Sequence, residues 1–195
     1  LIESLRTLFP EQRYLELVHR LDRATSGIVL IAKNARTLRD LHEQLRSDRV
    51  HKVYWALVAG KWPAYQKSVT APLAKRHTAS GERIVKVTAG GKRAKTEFKV
   101  LERLPSASLL EIIPISGRTH QIRVHSHHLG HPILGDTKYR NDFSDEITSL
   151  LCLKRMFLHA KLIRFTLAGR CYELESPLGE ELEGVLSRLR CEGDR

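Results

Sequence analysis

The stretch that decides the fold runs from His19 to Asn34 and reads HRLDRATSGIVLIAKN. It opens on charge, passes through Thr25, Ser26 and Gly27, and becomes the unbroken apolar run Gly27 to Ala32. A short apolar run bounded by a turn is the pattern of a buried strand. The charged residues ahead of it then belong to the loop that enters that strand. Asn34 is positioned to cap a following helix, because its side-chain oxygen can accept a first-turn N–H. Leu38, Leu41 and Leu45 fall on one face of that helix. Within the loop one acid, Asp22, sits between Arg20 and Arg23. Opposite charge so close favours the ionised carboxylate. Local charge alone fits a loop salt bridge as readily as a catalytic acid.

Outward from this segment the periodicities alternate between helix and strand. Leu1 to Phe9 reads as a short helix stopped by Pro10, and Val53 to Ala59 (VYWALVA) as a central strand. Lys61 to Lys92 carries Pro63, Pro72, Gly81, Gly90 and Gly91 and predicts loops with short strands, among them Arg83 to Val87. Thr96, Phe98 and Val100 alternate with polar residues, and Leu109 to Ile115 is the expected partner strand. A turn at Gly117 leads to Thr119 as N-cap of a helix ending near His128, before Gly130 and Pro132. Tyr139 to Leu151 predicts an exposed loop with a short helix. Leu158 to Leu167 and Arg170 to Glu175 predict a hairpin around Ala168-Gly169. Leu182, Val185, Leu186 and Leu189 mark a last amphipathic helix. Strands outnumber helices and are joined mostly by hairpins. The fold expected is α+β, a mixed and mainly antiparallel sheet with flanking helices.

Composition narrows the function. The chain has 195 residues, with 33 Lys and Arg against 22 Asp and Glu, a formal net charge of +11. That sign favours a polyanion such as nucleic acid, and the spread of basic residues along the chain lets a folded face gather them into a groove. No apolar run approaches the roughly 20 residues of a membrane-spanning helix, and no secretory signal is visible. Cys152, Cys171 and Cys191 are odd in number and form no CxxC pair. They predict neither a disulfide framework nor a zinc ribbon, and a reducing cytoplasm is the simplest setting. Cys152 and Cys171 are expected as small buried residues. No GxGxxG, Walker or GxSxG motif occurs, so nucleotide-cofactor redox, P-loop NTPase and α/β-hydrolase chemistries have no support.

Three further stretches carry candidate chemistry. In a strand, Lys52, Tyr54 and Ala56 share one face. Tyr54 could stack on a base while Lys52 meets a phosphate; a core aromatic with a satisfied hydroxyl is the plainer reading of Tyr54 alone. In Ser116 to His125, Thr119 and Arg123 are expected one helical turn apart, and Arg118 at the helix entrance is suited to a phosphate. Four histidines between His125 and His131 invite a metal, but HExxH is absent and the next acid is Asp136. Surface or phosphate-facing histidines are expected, and no metal.

Taken together, these stretches resemble the RluA-type RNA pseudouridine synthases. HRLDRATSGIVLIAKN is similar to the family's defining motif, KVYWALVAG to its second, PISGRTHQIRVH followed by LGHPILGD to its third, and FLHAKLIRF to its Leu-His-Ala strand. The order and spacing also match. The resemblance implies the pseudouridine synthase fold with a central RNA-binding cleft, here as a catalytic domain over residues 1–195. Members usually carry an S4-type RNA-binding domain ahead of this region, which is expected to be absent from a fragment starting at Leu1. The implied reaction is the cofactor-free isomerisation of uridine in RNA. The N1–C1′ bond is cut, the uracil turns, and C5 is joined to C1′. Asp22 is implied as the catalytic carboxylate, either attacking C1′ or removing the 2′ proton. Tyr54 is implied as the residue that stacks on the base and assists removal of the C5 proton. Arg123 is implied as the partner of Asp22, and Arg20 as the group that fills the gap left by the flipped nucleotide. Arg23, Lys52, Arg118 and His120 complete the expected RNA contacts. LHEQLR, SGERIVKV and GGKRAKTEFKV resemble most the members acting on large-subunit (23S) ribosomal RNA, so that RNA is the expected partner of a monomeric chain. Two rival classes are a ribosome-associated RNA-binding module without chemistry, and a metal-dependent nuclease built on His125 to His131 with Asp136.

Overall fold

The structure is a computed structural model and describes residues 1–77 and 81–193. Its centre is strand β4 (His51–Ala59). Leu57 and Ala59 enter one core cluster, and Ala56 and Val58 enter another on the opposite face. A strand covered on both sides needs apolar residues in succession, which is why this stretch runs apolar without alternation. β4 pairs antiparallel with β9 (Ala107–Pro114) on one side and β10 (Leu158–Leu167) on the other. The sheet continues through β8 (Lys95–Arg103) to β5 (Ser68–Thr70) at one edge and to β11 (Arg170–Glu175) at the other, all antiparallel. Ala168 and Gly169, both at positive φ, make the tight turn between β10 and β11.

Helices cover the two faces. α5 (Glu180–Gly193) buries Leu182, Val185, Leu186 and Leu189 against the Leu57 face, alongside α4 (Asp142–Leu150). Each such side chain contributes roughly 1.5–3 kcal/mol of burial. The Ala56 face packs on Ile122 of α3 (Gln121–His128). α2 (Ala35–Arg46), capped by Asn34, packs with Val18, Ala32 and β10 residues Ile163 and Phe165. A separate hairpin, β6 (Leu73–His77) and β7 (Arg83–Val87), meets the body through Val124 and Tyr139. α1 (Ile2–Leu8) buries nothing and is tied down by Arg6 to the Leu15 carbonyl and Glu16. Among the described residues no helix is long and apolar enough to cross a membrane.

Three expectations are corrected. The run Gly27 to Ala32 is not one buried strand. Its ends belong to two short strands, β2 (Ser26–Gly27) and β3 (Ile31–Ala32), which pair with different partners, β10 and β1 (Glu16–Leu17). The half-buried middle packs Ile28 and Leu30 near α2. The short helix expected within Tyr139 to Leu151 is α4, which starts at a capping box of Asn141 and Ser144, but the stretch is not wholly exposed: Tyr139, Ile147 and Leu151 are core residues. Cys152 and Cys171 are exposed, as is Cys191. Cys152 sits at positive φ just after α4, and Cys171 lies on the edge strand β11, so neither faces a core.

Candidate active site

The loop carrying Asp22 is held at three points. At its base the Val18 N–H donates to the Leu30 carbonyl (3.0 Å), and the Leu30 N–H donates to Nε2 of His19 (3.2 Å). Within it the Thr25 N–H closes a turn on the Asp22 carbonyl (2.9 Å). At its exit β2 runs parallel to β10, in register Ser26 with His159 and Gly27 with Ala160. Ser26 Oγ and His159 Nδ1 lie 2.8 Å apart. Gly27 has φ +103°, and a Cβ there would lie 2.7 Å from the Ala160 nitrogen and nearer still to its oxygen. Only glycine allows this approach, so Gly27 fixes where the Asp22 loop meets the sheet.

The partner of Asp22 comes from α3. Arg123 Nη1 donates to Asp22 Oδ2 at 3.1 Å, across 101 residues of sequence. Arg20 and Arg23, the sequence neighbours expected to hold the acid ionised, are exposed and form no ion pair with it. The remaining edge of Arg123 is taken by Asp136: Nε donates to Oδ2 (2.7 Å) and Nη2 to Oδ1 (2.8 Å). The Asp136 side chain is fully buried and also accepts the N–H groups of Lys138 (2.8 Å) and Tyr139 (3.1 Å). Burial disfavours the Arg123 charge, but the hydrogen bonds and charge of Asp136, and after it of Asp22, together outweigh burial and raise its pKa above the ordinary value.

Tyr139 underlies this group. The guanidinium carbon of Arg123 lies 5.0 Å from the centre of its ring. The Tyr139 hydroxyl accepts the Val85 N–H (2.9 Å) and is 2.8 Å from Nδ1 of His120. Burial, followed in effect by the Asp22 charge acting the other way, leaves His120 with a lowered pKa. A neutral imidazole accepting the Tyr139 O–H at Nδ1 carries its proton on Nε2, which stands 3.9 Å from Asp22 Oδ1. His120 reaches this position in a left-handed conformation, φ 53°. It is the N-cap of α3, so Thr119 is not; Thr119 is exposed and outside the helix. The turn is fixed by Gln121, whose Oε1 accepts the Ser116 hydroxyl and the Arg118 N–H and whose Nε2 donates to the Lys95 carbonyl.

Asp22 and Arg123 line a cleft of about 550 Å³, together with Arg20, Lys52, Tyr54, Arg118 and His120. Five cationic side chains (Arg20, Arg46, Lys52, Arg118 and Arg123) line it against two carboxylates, Asp22 and Asp48. Such a lining attracts a polyanion and leaves single acids in a cationic field. Burial and then the Asp22 charge push the Tyr54 hydroxyl up to about 12. Burial lowers the Lys52 pKa, opposed by Asp48, and among the described residues Lys52 forms no ion pair. Arg118 spends Nε on the Arg93 carbonyl (3.1 Å). Arg23 is exposed and does not line the cleft.

The histidine cluster disperses. His125 is fully buried, between Thr96 Oγ1 (2.7 Å) and the Ala71 carbonyl (3.0 Å), so the surface position expected for it is corrected. His127 and His128 are exposed, and His131 bonds the Ala59 carbonyl. Among the described residues no three His, Cys, Asp or Glu side chains are placed to hold a metal. Asp136, the acid needed by a metal-dependent nuclease, is committed to Arg123. Sequence reasoning missed the parts played by Asp136, Tyr139 and His19. The Gly135-Asp136 pair after an apolar run was a visible signal; nothing in the sequence ties Tyr139 to Arg123.

Residues 3–128 match the model of the RNA pseudouridylate synthases. The chain belongs to this family. It is 51% identical over 191 residues to ribosomal large subunit pseudouridine synthase C of Pasteurella multocida, and 50% identical over 193 residues to the protein of that name from Escherichia coli strain K12. These alignments cover 97% of the chain, which spans about 60% of the relatives' length. Among solved structures, human RNA pseudouridylate synthase domain containing 4 superposes with a TM-score of 0.78 at 28% identity, over 97% of this chain and 82% of that one. Human RNA pseudouridylate synthase domain containing 1 gives 0.74 at 28% identity, over 96% and 84%.

Proposed function

We propose that the chain converts specific uridines of large-subunit ribosomal RNA to pseudouridine, with Asp22 as the essential carboxylate. Family membership and the two relatives named for the large ribosomal subunit support this reading. The observation that carries it is one carboxylate, Asp22, bonded by Arg123 in a cleft otherwise rich in cations. A module that only binds RNA gains nothing from a carboxylate facing phosphates. An RNA of the large ribosomal subunit sets the reaction in the cytoplasm.

The uracil has to turn about its sugar, so it must leave the helical stack, at a cost of a few kcal/mol. Tyr54 offers a ring for the extruded base, Arg20 a guanidinium for the vacated space, and Lys52 and Arg118 charges for the backbone. Asp22 acts on the sugar, as a nucleophile at C1′ or as a base at C2′. The N1–C1′ bond breaks, the uracil rotates, and C5 bonds to C1′, displacing the Asp22 carboxylate from C1′ in the first route or following return of its proton to C2′ in the second. The proton on C5 is then lost and N1 gains one, so the product is an isomer and no cofactor is consumed. With its pKa near 12, Tyr54 is a phenol at neutral pH. Before the reaction its ring is therefore a neutral stacking surface, and any part in removing the C5 proton has to be played from the protonated phenol.

The test is tritium release from C5-labelled uridine in a large-subunit RNA transcript. The chain is expected to release tritium, and Asp22→Ala to release none while its RNA affinity stays within about threefold. Release by Asp22→Ala at the unaltered rate refutes the proposal.

A further inference from the structure

We propose that Asp136 is a positioning residue that keeps one oxygen of Asp22 free for the substrate by occupying the far edge of Arg123. The inference rests on the reading of Asp22 given above.

A guanidinium and a carboxylate left to themselves tend to close a two-bond fork in which both carboxylate oxygens are consumed. In this site the fork is closed elsewhere. Nε and Nη2 of Arg123 are bonded to the two oxygens of Asp136, and only Nη1 reaches Asp22, at Oδ2. Asp22 Oδ1 has His120 Nε2 at 3.9 Å, beyond hydrogen-bonding distance. The acid is thus anchored through one oxygen, and Oδ1, in a residue that lines the cleft, makes no hydrogen bond among the described residues. Both routes open to Asp22, attack at C1′ or proton removal at C2′, need such an unoccupied oxygen.

Asp136 is built to hold this arrangement. Four N–H donors converge on it, two from Arg123 and one each from Lys138 and Tyr139. Its backbone is fixed from the preceding residue. Gly135 has φ +76°, a Cβ there would lie 2.7 Å from the Arg155 carbonyl carbon, and its N–H donates to Thr148 Oγ1 at 3.0 Å. The Tyr139 ring lies against the guanidinium and resists rotation of Arg123 out of its plane. There is a charge consequence as well. With one cation between two carboxylates the group carries a net negative charge, whereas Arg123 with Asp22 alone is a neutral pair.

The test compares turnover and RNA binding in a double-mutant cycle on the 195-residue chain, with C5-tritiated large-subunit RNA as the probe. Asp136→Asn keeps the shape and Oδ1, the acceptor of the two backbone N–H groups, but it sets an amide donor against the Nε donor of Arg123; that repulsion drives the guanidinium off position 136 and frees Nη2 to fork with Nη1 onto Asp22. It is expected to lower kcat by 10- to 100-fold, on the order of what small misplacements cost, with KM within about threefold. Lysine presents a point charge and closes no fork. In the Arg123→Lys background, Asp136→Asn is therefore expected to cost less than about threefold further. An equal loss of kcat in both backgrounds means a structural role only and overturns the inference, as does an unchanged kcat in Asp136→Asn. Should Asp136→Asn not fold, Asp136→Glu serves instead: it keeps the charge but shifts it by one methylene, and an unchanged kcat there overturns the inference equally. Asp22→Asn is run alongside. If it is fully active, the reading of the site itself fails; if it is inactive while Asp136→Asn matches the unmutated chain, only the role of Asp136 fails.

Discussion

Mild acid should destabilise this fold through His19, at the base of the Asp22 loop. Its Nε2 accepts the Leu30 N–H, a bond that only the neutral ring can make. Burial, with the nearby Lys52 charge adding to it, lowers its pKa from 6.5 to about 4. A base whose pKa is depressed on folding binds its proton first in the unfolded chain. Stability from this group is complete above pH 6.5 and drains away as the pH falls toward 4. Between pH 7 and pH 5 the loss from this one group is about 2 kcal/mol. Burial also lowers His120, His125 and His159, so the whole protein loses more than His19 alone provides. The contribution is isolated by urea unfolding at pH 7 and pH 5 of the unmutated chain and of His19→Gln, which keeps an acceptor but does not titrate. The stability difference between the two pH values should shrink by about 2 kcal/mol in the variant. The same difference in both proteins refutes the reasoning.

Gly27→Ala adds both left-handed strain and a clash with the Ala160 backbone, whereas Gly169→Ala at the β10–β11 turn has open space and strain alone. Strain is worth about 1–3 kcal/mol, and each kcal/mol shifts the Tm of a chain this size by about 2–4 °C. Gly27→Ala should therefore lower the Tm further than Gly169→Ala and reduce tritium release; equal Tm shifts in the two variants contradict the anchoring role. Because Tyr54 titrates near pH 12, kcat should not rise tenfold per pH unit between pH 7 and 9, as it would if the phenolate were required. Tyr54→Phe should keep KM within a few-fold and lower kcat, and unchanged turnover removes the hydroxyl from the chemistry. Lys52→Met should weaken RNA binding and reduce the slope of log K against log salt by about 0.7–0.9; an unaltered slope means that Lys52 meets no phosphate.

Elements whose residues interact locally were legible in the sequence. Asn34 and the Leu38, Leu41 and Leu45 stripe specify α2, and the α5 leucines specify their own burial, because cap and periodicity lie within one element. Segments whose partners are distant were less so. Gly27 to Ala32 has the composition of one strand, yet it divides between β1 and β10, and nothing local records that choice. Thr119 is a good N-cap by type, but the chain start of α3 is set by Gln121 and by the contact of His120 with Tyr139. The candidate site shows the same division. Asp22, Tyr54 and Arg123 stand out by motif, and the structure gathers them in one cleft. The adjacency of Arg20 and Arg23 to Asp22 misled, because side chains neighbouring in a loop can point apart while Arg123 arrives from a packed helix. Asp136 had a sequence signal in the Gly135-Asp136 pair, but its hold on Arg123, like the contact of Tyr139, became visible only once the chain closed.

The most direct measurement is a structure of the Asp22→Asn chain bound to a uridine-containing fragment of large-subunit ribosomal RNA. The account predicts one uracil out of the stack and against the Tyr54 ring, with its sugar carbons C1′ and C2′ next to position 22. A bound RNA whose bases all remain stacked, with its sugars distant from position 22, contradicts it.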